Sequence, residues 1–151
     1  MNLSELTPDT ALAALLDGRV VVQTSATASR MVKVYAENAM PGTGLGDEFI
    51  RLRPNGNPRP RTRGSGGFGL WDGNIALEIL CKSNSDNTIK RNRNNSLIAQ
   101  VEELLKRGAA SERFFFMLDE NNPITPPTPN LNNGYYTTIL NLWWRNRQTN
   151  H

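Results

Sequence analysis

Cysteine and histidine are nearly absent: Cys81 is the one cysteine and His151, the last residue, the one histidine. A lone cysteine excludes an internal disulfide and any multi-cysteine zinc site, suits a reducing compartment, and reads as a small core residue. A lone histidine at a terminus prone to fraying leaves no material for a histidine-based triad, general base or metal cluster, which removes many hydrolases at once. Long apolar runs are missing too. No stretch approaches the roughly 18 apolar residues that a spanning helix needs, and Met1 to Glu5 shows no basic segment leading into an apolar one. The expectation is a soluble, unexported protein that makes no membrane contact. Acid is absent from the whole interval between Leu52 and Trp71, which carries Arg53, Arg59, Arg61 and Arg63 among Pro, Gly and Asn.

What is present fits one domain spanning residues 1–151, long enough to bury roughly two thirds of its unfolded surface. Hydrophobic residues make up 38% of the chain, a low share that implies much loop and an incompletely self-covered surface, some of it left for copies of itself to cover. The net charge of +3 is local rather than general. Arg51, Arg53, Arg59, Arg61 and Arg63 form one cluster, and Lys90, Arg91 and Arg93 a second. Two clusters point as readily to acidic protein surfaces or a subunit interface as to nucleic acid.

Thr7 to Gly18 carries both ends of a short helix, with Thr7 as N-cap, Pro8 in the first turn, Leu12, Leu15 and Leu16 as its stripe, and Gly18 beyond the end. Strands are expected at Arg19 to Thr24 and Met31 to Ala36. Ala39 to Gly46 holds three Gly and one Pro but no Lys placed for a phosphate loop, and reads as a turn. Asp47 to Arg53 alternates as a strand. Ile75, Leu77, Ile79 and Cys81 share one face of another, so the two flank a long loop over 53–70 with arginines at its tip. A helix of about five turns should end at Gly108, with Ile89, Arg93, Leu97, Ile98, Val101, Leu104 and Leu105 recurring at helical spacing. Its first half is rich in weak helix formers, so packing or a partner must hold it. Glu112 to Asp119 reads as an inner strand, 120–133 as a second exposed loop with four prolines, and Gly134 to Arg145 as a closing strand. The fold class is α+β: one mostly antiparallel sheet, a long helix packed on one face, a short N-terminal helix and a long extended hairpin loop.

No chemistry-bearing set emerges. Asp72, Glu78, Asp119 and Glu120 could hold Mg²⁺ in a nuclease, but the pattern needs Glu-x-Lys, and Glu78 is followed by Ile79 and Leu80, with Lys82 too distant. Trp71, Trp143, Trp144, Tyr135 and Tyr136 could stack bases, yet Tyr136, Leu140, Leu142 and Trp144 mix with aliphatics at strand spacing, as in a core or subunit interface. The expectation is a non-enzyme without cofactor or metal. Arg51, Arg53, Arg59, Arg61, Arg63, Lys90, Arg91 and Arg93 are its candidate partner-contacting residues. Arginine suits bidentate pairing with carboxylate or phosphate, and Pro58 and Pro60 stiffen the loop, so less entropy is lost on docking.

The segments Trp71 to Ser83, Leu97 to Leu105, Arg113 to Asp119 and Gly134 to Trp144, in this order with an N-terminal helix and a long loop, resemble the tail terminator and head-tail joining proteins of tailed bacteriophages. The resemblance is one of pattern over about two thirds of the chain. It implies a ring, usually a hexamer, that stops tail-tube polymerisation and meets tube protein on one side and the head connector or neck on the other, with DNA passing through its lumen. It implies a virion protein assembled in the host cytoplasm, whose long loop takes shape on assembly. The lumen of such rings is often acidic, which directs the arginines toward protein. The alternative is a nucleic-acid-binding module using the arginine-rich loop.

Overall fold

In the computed structural model, the described residues are 7–60, 71–82, 87–120, 125–130 and 135–146, with the side chains of 57, 59, 60, 87–89 and 125–130 excepted. Helix α1, Pro8–Leu16, starts where Thr7 leaves helical geometry at φ −132° and ψ 153°, with Pro8 in the first turn. The Thr7 amide donates to Thr10 Oγ1 at 3.3 Å, occupying a donor the helix cannot satisfy itself. Gly18, at φ 80°, then takes the left-handed turn that ends it. Ala11, Leu12 and Leu16 are buried.

Strands β1, Val21–Gln23, and β2, Ser29–Met31, form a separate antiparallel hairpin. Gln100 fastens it, accepting from the Val21 amide at 3.0 Å and donating to its carbonyl at 2.7 Å. The main sheet comprises β3, Lys33–Ala36; β4, Glu48–Pro60; β5, Trp71–Lys82; β6, Ala109–Ala110; β7, Phe114–Leu118; β8, Thr125–Asn130; and β9, Tyr135–Asn146. Its order is β3-β4-β5-β9-β7-β6, with β8 also on β9, and only β3 and β4 run parallel. Helix α2, Asn87–Leu105, is 19 residues long, and the turn after it closes at Gly108, φ 80°, whose amide donates to the Leu105 carbonyl at 3.0 Å. The fold is α+β, as the sequence pattern implies, with both helices on one side of a mostly antiparallel sheet. Among the described residues no helix is long and apolar enough to cross a membrane.

The core lies between that sheet face and the helices. Ile50, Leu52, Ile75, Leu77, Ile79, Phe116, Leu140 and Leu142 meet Leu12, Leu16, Leu97, Val101 and Leu105. Clean alternation along β9 places Tyr136, Thr138, Leu140, Leu142 and Trp144 inward, and Tyr135, Thr137, Ile139, Asn141 and Trp143 outward. Gly73 sits opposite Trp144, where a Cβ would lie 2.7 Å from the indole nitrogen, so only a residue without a side chain fits.

Two expectations about loops need correction. The interval 53–70 is not loop from its start: β4 continues to Pro60 and pairs with β5 through Asn55↔Asn74, a register shift, then Arg59↔Asp72 and Pro60↔Trp71. The interval 120–133 likewise contains β8, paired to β9 through Thr128↔Thr137 and Asn130↔Tyr135. Both stretches are rich in proline and both lie on an edge, β4 because β3 pairs with it only as far as Leu52 and β8 because it pairs with β9 alone. Proline is tolerated on an edge and at a register irregularity, where a strand can lack an N–H on its unpaired side without breaking the ladder. Residues 61–70 lie outside the described residues.

Candidate partner-binding surface

Alternation along β4 puts Arg51 and Arg53 on the face opposite the core, and register sets Arg51 directly across from Glu78 on β5. The Arg51 guanidinium donates to Glu78 Oε2 through Nε, at 2.8 Å, and through Nη2. Arg53 Nη1 donates to Oε1 at 3.0 Å, while its Nε pairs with Glu37 at 3.4 Å. Glu78 is only 4% exposed, so both carboxylate oxygens are spent on guanidiniums rather than left for a cation. The Glu78 hydrogen bond, then its charge, raises Arg53 above the ordinary guanidinium value. Among the described residues no group of three or more His, Cys, Asp or Glu is placed to hold a metal ion.

Around this centre the outer face stays uncovered by either helix. Phe49 packs edge-on against Tyr35 and Tyr135, with ring centres 6.2 and 5.4 Å away. Phe115 and Trp143 lie beneath the Arg145 guanidinium, which is 5.0 and 5.9 Å from the two ring centres. Between these aromatic groups, Arg53, Pro54, Asn55, Ala76, Glu78, Ile139 and Asn141 line an open groove of about 380 Å³. Tyr135, Ile139, Trp143, Phe115 and Met117 are all half-buried. Apolar and partly exposed across several strands, this face has the composition of a contact surface rather than of solvated sheet.

A second ionic centre lies on the helix side. Glu48, 3% exposed, pairs through Oε2 with Arg30 and accepts at Oε1 from Arg93 Nη1 at 2.9 Å. Lys90 Nζ stands 3.8 Å from the same Oε1, 1% exposed and without a hydrogen-bond partner. Beside it, Thr138 Oγ1 donates to Asn94 Oδ1 at 2.5 Å, and Asn94 Nδ2 points to Cys81 Sγ at 3.7 Å. Burial pushes the Cys81 thiol up to about 11, against the smaller opposing pull of the Asn94 hydrogen bond. Tyr135, nearby, is raised first by desolvation and then by Asp47 and Glu48.

The eight candidate residues therefore separate. Arg51 and Arg53 gather on Glu78, and Arg93 on Glu48; Arg91 is exposed. Of Arg59 the strand pairing with Asp72 is described, and Arg61 and Arg63 lie outside the described residues. Lys90 is corrected outright: it is interior, because α2 turns it toward Glu48, and it cannot touch a partner directly. Sequence reasoning missed Glu48, Glu37 and Arg30 as organisers, and weighed Glu78 only as a metal ligand. One signal was available: counting back from Leu105, Val101 and Leu97 at helical spacing reaches Asn94 and Lys90, which marks both as inward despite their polarity.

No protein-family model matches this chain, and no curated protein matches it. A solved structure that carries a serial identifier in place of a functional name is similar, with a TM-score of 0.51 and 12% identity, covering 78% of this chain and 81% of that one. At that identity the likeness concerns the fold alone.

Proposed function

We propose that this chain is a structural ring subunit of a bacteriophage neck or tail end, which terminates the tail tube and joins tail to head. The outer face of the sheet, which neither helix covers, carries the reading, since a partly exposed apolar surface across several strands favours a neighbour. The pattern resemblance to tail terminators supplies the kind of neighbour: sister copies in a ring, usually six, with tube protein and head connector on either side. The same reading makes it a virion protein, assembled in the host cytoplasm, with DNA passing through its lumen. With Arg51 and Arg53 locked on Glu78, the grip on partners falls to the outer face and to the tip arginines. Light scattering and negative-stain imaging of concentrated protein, with tube protein present, test it: closed rings are expected, and monomers alone overturn it.

A second reading, a nucleic-acid-binding module, is favoured by the Arg145 guanidinium stacked over Phe115 and Trp143 on an open antiparallel sheet, an arrangement that can also stack bases. That reading requires a DNA affinity that falls steeply with salt and less steeply after replacement of Arg59, Arg61 and Arg63. Absence of binding at low salt eliminates it.

A further inference from the structure

The Glu48 centre holds three cations against one carboxylate, and its hydrogen bonds are distributed unevenly. Arg30 meets Glu48 through Nη2 and Arg93 through Nη1, so the described contacts use one terminal nitrogen of each guanidinium. A guanidinium carries five N–H donors, and most of those on both arginines remain to be used. Lys90 Nζ is buried at 3.8 Å from the carboxylate and donates to nothing. A buried ammonium with unmet donors is costly unless further negative charge is near.

Exposure defines the way in. The side chain of Arg30 is 44% exposed and that of Arg93 22%, whereas those of Lys90 and Glu48 are 1% and 0%. The two arginines thus form the mouth and Lys90 the charge behind it. Glu48 fixes the arginines relative to each other by holding one on each of its oxygens. Pre-organised in this way, they lose little entropy on accepting a further oxyanion.

We propose that Arg30 and Arg93, with Lys90 behind them, form a docking site for a carboxylate side chain of a protein partner. The geometry disfavours duplex DNA as occupant. A duplex presents a charge about every 1.7 Å and is held by rows of exposed cations, whereas here one half-exposed and one mostly covered arginine converge on a single point. The site lies across the sheet from the outer face and stands whether or not the chain forms rings.

The full chain, titrated at low ionic strength with a short polyglutamate peptide, a neutral Gly-Ser peptide and a DNA duplex, tests this. Polyglutamate should bind and the neutral peptide should not. Arg93→Gln should weaken that binding by about tenfold or more, the scale for losing a close charge partner, and Lys90→Met, because Lys90 reaches the peptide only through its charge from behind, by about threefold or more. Arg91→Gln, an exposed neighbour outside the centre, should change it little. Lys90→Met leaves Glu48 its two arginines, and circular dichroism verifies its fold; Arg30→Gln, at the exposed position, serves as the second variant. Polyglutamate binding that ignores Lys90→Met, Arg93→Gln and Arg30→Gln overturns the proposal, as does a failure of the peptide to bind, whether or not a duplex binds through Arg30 and Arg93.

Discussion

Cys81 and Lys90 are neighbours in space with opposite histories in the sequence. A lone cysteine on the apolar face of β5 is legible as a small core residue, and it is one, 0% exposed. Lys90 sits in a basic run and looks solvated, because residue type alone cannot reveal that Glu48 waits inside to receive it. Cys81 also has a consequence at high pH. Folding raises the Cys81 thiol from its ordinary 9.0 to about 11, so between those values the native chain keeps a proton that the unfolded chain has lost. Stability from this group is intact below about pH 9 and drains away as pH climbs toward about 11, by roughly 3 kcal/mol at most. Urea midpoints of the native chain should fall more steeply across that window than those of Cys81→Ala. Equal slopes would show that the thiol ionises as freely in the fold as out of it.

Helix α2 shows how an element is held when its own sequence argues against it. Lys90 to Asn95 includes three asparagines, weak helix formers, and the segment is nonetheless helical. Its support comes from the sheet: Glu48 takes Arg93, and Thr138 donates to Asn94. The need for such support is legible in the composition, but the donors and acceptors on β4 and β9 are not, since they are distant in the chain. The same limit explains the loops. Proline and asparagine in 53–60 and 125–130 argue for irregular chain, and only tertiary placement on sheet edges lets them be strands. Asn94→Ala should therefore cost about 1–3 kcal/mol, the penalty for leaving the Thr138 hydroxyl and its surroundings unpaired. Hydrogen exchange should rise chiefly in the first half of α2, while the Leu97 to Leu105 half, anchored by buried leucine and valine, holds its protection. Uniform loss along the helix would mean the two halves open as one unit.

Across the whole molecule, one sheet face is closed by two helices and the other is left to half-buried tyrosine, isoleucine, tryptophan and arginine. That division was partly legible, because β9 alternates strictly and its closing run was expected to serve either core or subunit contact. Its side chains divide between the two faces, Tyr136, Leu140 and Trp144 turning inward into the core, Tyr135, Ile139 and Trp143 outward. Which face would lack a helix could not be read locally, since it depends on where α1 and α2 land. The proposed assembly makes Ile139 the discriminating position. It lines the outer groove across from Glu78, is half-buried in the single chain, and takes no part in the core. Ile139→Lys should alter the stability of the lone subunit by little more than the roughly 0.5 kcal/mol typical of surface changes. In a ring it would place an unpaired ammonium in a dehydrated contact, which costs several times more. Sedimentation of the variant should show subunits at concentrations where the native chain forms rings, with thermal unfolding of the lone subunit nearly unchanged. Rings that survive the lysine would move the contact off this face, and a variant that fails to fold would place Ile139 in the subunit's own packing.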